Sequence, residues 1–492
     1  MKCKLKFILL ILFLAITILG KTQNNLAFYP IEDQFNSSVF NPAFLASQKN
    51  FSFSLFPIGG TIIGYNNQDA IKQLVSKLIS GISTDNDYKQ VLTSMADRSW
   101  FSQNVESALL SFTFPSKVGV FNFRIKEGEN FSASIKGPLT NFIFNTNTQT
   151  AIVNQVQYLP AQAMHYREYS VGYSISSRMN RFSAGIRAKI YFGKAAFFSG
   201  ISGSIQHESN NYSLLTKGLV NISIPEVSST NSDQSISSIS IFKGLKTINY
   251  LMNSGNPGIG ADLGINYRIN PDLTLSLSVI DLGRINWKTN VNSKNFDGQY
   301  QFQNSDVSGF RNETGNEFIT KKINNLTFVD SISESFDLTY NKSTFSRPLP
   351  VSVYAGLKIR LNQLMKISIV DRYVAIKDMN YNSLSIAANF DVNKNLSVSS
   401  GYSIIGNTNF NIPLAILWKR DFGQIYIGTD NLTAFLVPSI SEFAGFSFGT
   451  CFYLFKKRNL KSELVENYPF FKHKKIKRNR RNGLIIQEYP SF

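Results

Sequence analysis

Apolar and polar residues alternate through much of the middle of this chain. Phe182, Ala184, Ile186, Ala188, Ile190 and Phe192 fall on one parity, and Ser183, Gly185, Arg187, Lys189 and Tyr191 on the other. Successive side chains of a β-strand point to opposite faces, so this spacing predicts a strand with one apolar and one polar or small face. The pattern returns in Val351, Val353, Ala355, Leu357, Ile359 and Leu361 against Ser352, Tyr354, Gly356, Lys358 and Arg360. Ile259, Ala261, Leu263, Ile265 and Tyr267 oppose Gly260, Asp262, Gly264 and Asn266 in the same way. Shorter versions run through Leu273–Val279, Leu384–Phe390 and Ala444–Phe452. The longest runs reach about ten residues, which suits a tilted transmembrane strand. Strands of soluble sandwiches average about five or six. Arg, Lys and Asp on the polar face point the same way, because a membrane barrel turns that face to its lumen.

Between the runs, Asn270-Pro271-Asp272, Asp391–Asn395 and Lys419–Gly423 read as tight hairpin turns. Long Asn- and Ser-rich stretches, around Val227–Ser238 and Ser293–Thr344, carry no strand pattern and read as loops. Asp69–Gly81 places Ile71, Leu74, Val75, Leu78 and Ile79 at helical spacing, and a second short helix is expected at Tyr88–Met95. Either is a candidate plug, lid or cap. The expectation is an all-β, transmembrane antiparallel β-barrel of about 14 strands, with short helices near the N-terminus and an even strand number.

The chain begins with Lys2, Lys4 and Lys6, then an apolar run from Phe7 to Leu19, then Gly20, Lys21 and Thr22. This is the build of a secretory signal peptide, too short in its apolar part to span comfortably. Beyond it no run approaches the ~20 apolar residues of a spanning helix. Yet 43% of the chain is hydrophobic and only 17% charged. An exported chain rich in Phe and Tyr, poor in charge and without spanning helices fits a barrel in the bacterial outer membrane. The predicted organisation is a signal peptide over 1–22, an N-terminal lead over 23–49, the barrel over 50–455 and a basic tail over 456–492. That tail holds eleven Lys and Arg against three Glu, so much of the formal net charge of +18 is not spread over the barrel.

Three stretches carry a family likeness. Phe40-Asn41-Pro42-Ala43-Phe44-Leu45, just after the leader, resembles the start of long-chain fatty-acid transporter barrels and of barrels associated with type IX secretion. Gly258–Tyr267 with Ser278–Trp287, and Arg347–Gly356, resemble a large family of Bacteroidota outer-membrane barrels of unassigned function. The resemblance implies fold and location over nearly the whole chain. It brings no catalytic residues, and the basic tail lies outside it.

Chemistry-bearing motifs are few. Gly445-Phe446-Ser447-Phe448-Gly449 has nucleophile-elbow spacing, but it sits inside an alternating strand, where a strained strand-to-helix turn is required. The glycines of Gly258–Gly264 lack the helix that a dinucleotide site needs. The only histidines, His165, His207 and His473, are far apart, and Cys451 is the one thiol outside the leader, so no metal or other cofactor is expected. Asp330, Glu334 and Asp337 read as solvated loop charges. Arg187, Lys189, Asp262, Lys358 and Arg360 are the candidate lumen-facing residues, either favouring anions or pairing to lock a plugged interior. Lys472, Lys474, Lys475, Lys477, Arg478, Arg480 and Arg481 form a candidate partner-binding patch. In an exported protein such a patch points to a periplasmic or secretion-machinery protein, or to lipid head groups, and not to nucleic acid. The leading expectation is a non-enzymatic structural or partner-anchoring barrel. The alternative is a transporter of hydrophobic small molecules.

Overall fold

A computed structural model describes residues 26–67, 99–135, 156–177, 181–208, 211–224, 250, 252–303, 339–376, 380–405, 408–436, 443–455, 475–478 and 484–487. The chain divides into two compact units, 1–454 and 455–492. In the first unit one sheet closes on itself as a 14-strand antiparallel barrel. β1 (Phe51–Leu55) and β2 (Thr61–Asn67) share one position in its wall. The long strands β3 (Ser99–Pro115), β4 (Val120–Ile135), β5 (Val156–Ser176) and β6 (Phe182–Glu208) follow. β7 (Asn211–Ser223) pairs with the far half of β6, and β8 (Asn256–Arg268) with its near half. β9 (Leu273–Trp287) turns into β10 (Val291–Gln303), with the short β11 (Thr339–Asn341) and β12 (Phe345–Pro348) beside them. β13 (Val351–Arg360), β14 (Met365–Ala375), β15 (Tyr381–Asn393), β16 (Leu396–Ile405), β17 (Thr408–Asn411), β18 (Leu414–Arg420), β19 (Gly423–Thr429) and β20 (Phe443–Phe455) complete the circuit. β1 and β2 each pair with both β20 and β3, which closes the wall. Closure gives the wall's backbone partners without water, the condition for crossing lipid with strands.

The alternation read from the sequence is the alternation of the wall. Ile259, on the outer face of β8, is 71% exposed, whereas Asp262, on the inner face, is fully buried. The outer belt includes Phe121 and Phe123 on β4, Val171 and Ile175 on β5, Ile186 and Ile190 on β6, Leu275 and Leu277 on β9, and Leu384 and Ile386 on β15. The buried inner face of the same strands is rich in polar residues, among them Asn122, Arg124, Ser170, Ser174, Arg187, Lys189, Ser278 and Ser383. An apolar belt outside and a polar lining inside, on a closed barrel of even strand number, make this a bacterial outer-membrane barrel.

The belt has a visible upper limit. On the outer faces of β4, β5 and β6, Glu127, Arg167 and Lys194 succeed the apolar residues. Arg167 Nε donates to Glu127 Oε1 at 2.9 Å. Lys194 Nζ donates to the Asn253 carbonyl at 2.5 Å, and His165 Nδ1 and the Tyr250 hydroxyl share a hydrogen bond of 2.5 Å. About ten residues of β5 lie between Arg167 and the short turn after Ser176, the length of one lipid crossing. Beyond this rim β3 to β7 and β10 continue the sheet past the length of one lipid crossing. Leu263 pairs with Ile186 near mid-belt. Leu263→Arg is therefore expected to destabilise the barrel by about 2–4 kcal/mol. Phe131→Arg, above the rim on β4, is expected to cost about 0–1 kcal/mol. Urea titration of protein refolded into vesicles distinguishes the two.

The three tight turns form where expected. Leu273 N–H donates to Asn270 Oδ1 at 2.7 Å, and Leu396 N–H to Asn393 Oδ1 at 2.9 Å. β18 and β19 join through Asp421 and Phe422. Two expectations need correction. The stretch Ser293–Thr344 is not devoid of strands, because β10 and β11 fall in it. β10 lies beyond the lipid rim, so its residues, among them Lys294, Asp297, Gln299 and Gln301, need no apolar parity. The end of the chain, Leu484–Phe492, contains Pro490 and by that residue reads as non-strand, yet Leu484–Gln487 (β22) pairs with Lys475–Arg478 (β21) in the second unit. Pro490 lies past the paired residues, so its missing N–H does not interrupt the ladder. The leader and the helical spacings at Asp69–Gly81 and Tyr88–Met95 lie outside the described residues.

Above the rim β7 stands end to end on β8, so one position of the wall is built from two strands. Asn256, fully buried, holds the joint. Its Oδ1 accepts from Lys288 N–H at 2.8 Å and Thr289 N–H at 2.9 Å, and its Nδ2 donates to the Gly193 carbonyl at 3.3 Å and Ser223 Oγ at 3.4 Å.

Candidate functional site in the plugged lumen

The lumen is occupied by the N-terminal lead. Residues 26–48 fold into short 3₁₀ turns at Leu26–Phe28, Ser37–Val39 and Pro42–Ser47. Pro30, Pro42 and the Asn-Ser-Ser run favour short turns over a continuous helix. Leu26, Phe28, Tyr29, Ile31, Phe35, Phe40 and Phe44 are all buried and form one core with Tyr354, Val370, Leu417, Tyr426 and Cys451 of the wall. Phe28 meets Tyr426 edge-on with centroids 5.1 Å apart, and Tyr29 stacks on Tyr354 at 6.2 Å.

Asn41-Pro42-Ala43 has a clear mechanical role. Asn41 caps the third turn, its Oδ1 accepting from Ala43 N–H at 2.9 Å, and Pro42 follows where its missing N–H costs nothing. Asn41 Nδ2 also donates to the Ile265 carbonyl at 3.0 Å, tying the turn to β8. The close approach needs glycine in the wall. A Cβ at Gly185 would lie 2.3 Å from the carbonyl carbon of Pro42, and one at Gly264 would lie 2.0 Å from Asn41 Oδ1. Gly185→Leu is therefore expected to leave the wall folded and unseat the third turn. Limited proteolysis should then cut within residues 40–48, and a lead as protected as in wild type would refute this.

Polar contacts fix the rest of the lead. Ser278 Oγ donates to the Phe40 carbonyl at 2.6 Å, the Tyr29 hydroxyl bonds Ser276 Oγ at 2.8 Å, and Phe35 N–H donates to Gln424 Oε1 at 3.0 Å. Two ion pairs join it to the wall, Glu32 with Lys358 and Asp33 with Lys419.

Beside the lead lies a buried layer of charge. Lys189 Nζ is 2.7 Å from Asp262 Oδ1, 2.6 Å from Asp281 Oδ1 and 3.7 Å from Glu168 Oε2. Lys126 Nζ is 3.2 Å from Glu168 and 3.1 Å from Glu106. Arg187 joins this layer to the plug. Its Nη1 is 3.2 Å from Asp262 Oδ2 and 3.0 Å from the Ser38 carbonyl, and its Nη2 donates to Ser38 Oγ at 2.7 Å. Asp281 arrives through a bulge. Its φ is 62° and the β8–β9 register shifts there, which turns inward a residue that simple alternation would face outward. Further toward the long-connection end lies a second interior cluster of Met164, Tyr166, Tyr191, Phe198, Ile285, Trp287 and Leu349.

Of the five residues singled out in the sequence, Arg187, Lys189 and Asp262 meet in the charged layer and Lys358 binds the lead. Arg360 ends β13, where its N–H donates to the Asp272 carbonyl at 2.7 Å. Glu106, Lys126, Glu168 and Asp281 were not anticipated. Lys126 and Glu168 had a readable signal, since Phe121, Phe123 and Ile125 alternate with Asn122, Arg124 and Lys126, and Tyr169, Val171 and Tyr173 with Glu168, Ser170 and Gly172. Asp281 had none, because a bulge leaves no mark on parity. Ser447, of the elbow-like motif, faces inward with Oγ donating to the Gly428 carbonyl at 3.5 Å. Of the basic patch, Lys475, Lys477 and Arg478 lie on β21; Lys472, Lys474, Arg480 and Arg481 lie outside the described residues.

The profile of a family described as a family of unknown function, DUF5723, matches residues 42–430. No curated protein matches. Among solved structures, the Ralstonia pickettii toluene transporter TbuX is similar at 8% identity and a TM-score of 0.37, over 85% of this chain and 93% of that one. A Pseudomonas aeruginosa FadL homologue is similar at 9% identity and a TM-score of 0.39, over 88% of this chain and 99% of that one. The Pseudomonas putida toluene transporter TodX is similar at 10% identity and a TM-score of 0.35, over 85% of this chain and 92% of that one.

Proposed function

We propose a role for this chain, which belongs to the DUF5723 family of unknown function, as a permanently plugged, non-enzymatic barrel that anchors or scaffolds a partner in the cell envelope. The observation that carries this reading is the burial of the lead. Seven large apolar side chains of residues 26–44 are buried against the wall. At about 1.5–3 kcal/mol each, exposing them to water costs on the order of 10 kcal/mol or more. Breaking the contacts of Arg187, Lys358 and Lys419 adds to that. A plug held so firmly is not displaced by thermal motion, so the resting barrel is closed. The basic segment Lys472–Arg481 is then the part with charge to offer an acidic periplasmic or secretion-machinery protein.

A second reading keeps transport of apolar small molecules. What favours it is the cluster of Tyr166, Tyr191, Phe198 and Trp287, an apolar interior cluster separate from the one that seats the lead. Trp287 Nε1 has no hydrogen-bond partner there.

The test is mass spectrometry of everything that co-purifies with the intact protein from outer membranes, proteins and lipids together. A stoichiometric envelope protein, lost when residues 456–492 are deleted while the barrel stays folded, is the expected result. Bound fatty acids or other apolar molecules without a protein partner would replace the anchor with the transporter.

A further inference from the structure

The short-turn end of the lumen carries more positive charge than its own carboxylates match. Arg268 on β8, Lys358 and Arg360 on β13, Lys366 on β14 and Lys419 on β18 all stand within two residues of the short-turn ends of their strands. Each falls on the parity of the buried inner residues of its strand, among them Asp262, Tyr354, Val370 and Leu417. The five therefore line the mouth of the lumen, with the wall between them and lipid. Three are matched. Glu32 of the lead pairs with Lys358, Asp33 with Lys419, and Asp391 Oδ2 lies 2.7 Å from Lys366 Nζ. The Arg268 and Arg360 guanidinium groups make no ion pair or side-chain hydrogen bond among the described residues. These two flank the start of β9. Arg268 is the register partner of Thr274, and Arg360 N–H donates to the Asp272 carbonyl at 2.7 Å. Asp272 is exposed in the turn, and its carboxylate pairs with neither arginine.

Like charges crowd the same place. Arg360 stands directly opposite Lys366 in the β13–β14 ladder. Arg268 N–H donates to the Arg181 carbonyl at 2.7 Å, which brings another arginine alongside. Arg268 and Lys366 both oppose the charge on Lys358. Like charges directly opposite on neighbouring strands destabilise a sheet, and an anionic partner relieves that repulsion. The lead shows which kind of anion fits. Glu32 and Asp33 are consecutive carboxylates of one polypeptide segment, received by Lys358 and Lys419 from inside. Only β9 separates β8 from β13, so the backbones of Arg268 and Arg360 are about 10 Å apart. Long side chains at that spacing bracket two carboxylates of one extended segment, and arginine holds a carboxylate through two parallel hydrogen bonds.

We propose that Arg268 and Arg360 receive a segment rich in Asp or Glu, from a periplasmic protein, at the short-turn mouth of the lumen. Short turns are the periplasmic side of such barrels. The inference rests on the reading that the barrel anchors an envelope protein, and it places part of that contact on the wall itself.

The test uses the full chain in nanodiscs of phosphatidylcholine, titrated with fluorescein-labelled deca-glutamate and read by anisotropy. Arg268→Gln with Arg360→Gln is expected to weaken binding on the order of tenfold or more, since each loses charge-assisted hydrogen bonds. Lys117→Gln with Lys394→Gln, at exposed positions of two other short turns, is expected to change it by less than about twofold. Removing residues 456–492 is expected to leave the arginine effect in place. Equal losses from the arginine and lysine pairs would reveal a diffuse basic surface and overturn the inference. So would an anionic phospholipid that wild type retains in native mass spectrometry and the arginine variant releases, because the site would then belong to lipid. Should the arginine variant fail to fold, wild type decides. Deca-glutamate carrying a benzophenone is expected to label the tryptic peptides that border Arg268 and Arg360, and labelling confined to other peptides would overturn the proposal. A titration that ignores the two arginines while an envelope protein still co-purifies overturns this inference alone. The absence of any co-purifying protein overturns the anchor reading, and this inference with it.

Discussion

A chain lacking residues 26–48, with its leader and leader boundary kept, is expected to conduct ions across a planar bilayer, whereas the intact protein passes no measurable current. A barrel of about eight strands fills its interior with its own side chains, and one of 16–18 strands leaves an aqueous channel. A 14-strand wall lies between these limits, and its inner face is largely Ser, Gly and Asn, too small to close the gap. The lead closes it. Without the lead, water enters a lining that already carries hydroxyls and amides, so the wall has little reason to collapse. The charged layer of Lys126, Glu168, Lys189 and Asp262 lies on the β4–β9 side and stays in place. The opening therefore forms against β13 to β20, where Tyr354, Leu417 and Tyr426 now face the lead. Glu32 and Asp33 leave with it and free Lys358 and Lys419, so the pore is expected to prefer anions. A deletion variant that folds, shown by faster gel migration unheated than boiled, and still passes no current would refute the plug's role as the closure.

The second large effect concerns the charged layer. Asp262→Ala is expected to destabilise the barrel by about 3–5 kcal/mol, because it leaves Arg187 and Lys189 buried with their shared carboxylate gone and the Asp281 N–H unpartnered. Desolvated charge makes the loss large, and the same physics predicts its rescue. Replacing Arg187, Lys189, Asp262 and Asp281 together by Met, Met, Leu and Asn removes two positive and two negative charges as a set, leaves Glu168 and Glu106 on Lys126, and is expected to recover most of the stability, as with other buried ion clusters exchanged for apolar residues. Urea unfolding in vesicles measures both. A loss below about 1 kcal/mol for Asp262→Ala would mean that water reaches the layer and screens it.

The wall was readable from parity because lipid outside and polar lumen inside impose one rule on every crossing strand. That rule placed Arg187, Lys189, Asp262 and Lys358 inside. It stops where lipid stops, which is why β10 passed for a loop. The plug at residues 26–48 carries no such mark; the sequence places its candidate plugs at Asp69–Gly81 and Tyr88–Met95, which lie outside the described residues. Residues 26–48 touch the wall on all sides in short turns, so they carry neither the 3.6-residue nor the 2-residue period that makes an amphipathic element visible. Lys126 and Glu168 are direct cross-strand partners on neighbouring strands, whereas Lys189 and Asp281 lie two strands apart, and no single strand's pattern announces its partner across the sheet.

The end-to-end stacking of β7 on β8 bears on how such a molecule can diversify. The girth of a barrel is set by strand number and stagger, and both are decided within the lipid belt. Everything above Asn256 hangs from a seam that neither quantity depends on. The upper storey can lengthen, shorten or be exchanged by recombination at that joint while the foundation below keeps its circumference and its plug. Surface loops are where insertions are best tolerated; here that tolerance extends to a whole section of wall. The section above the joint is thereby released from the geometric constraint that fixes the girth of the membrane-bound part.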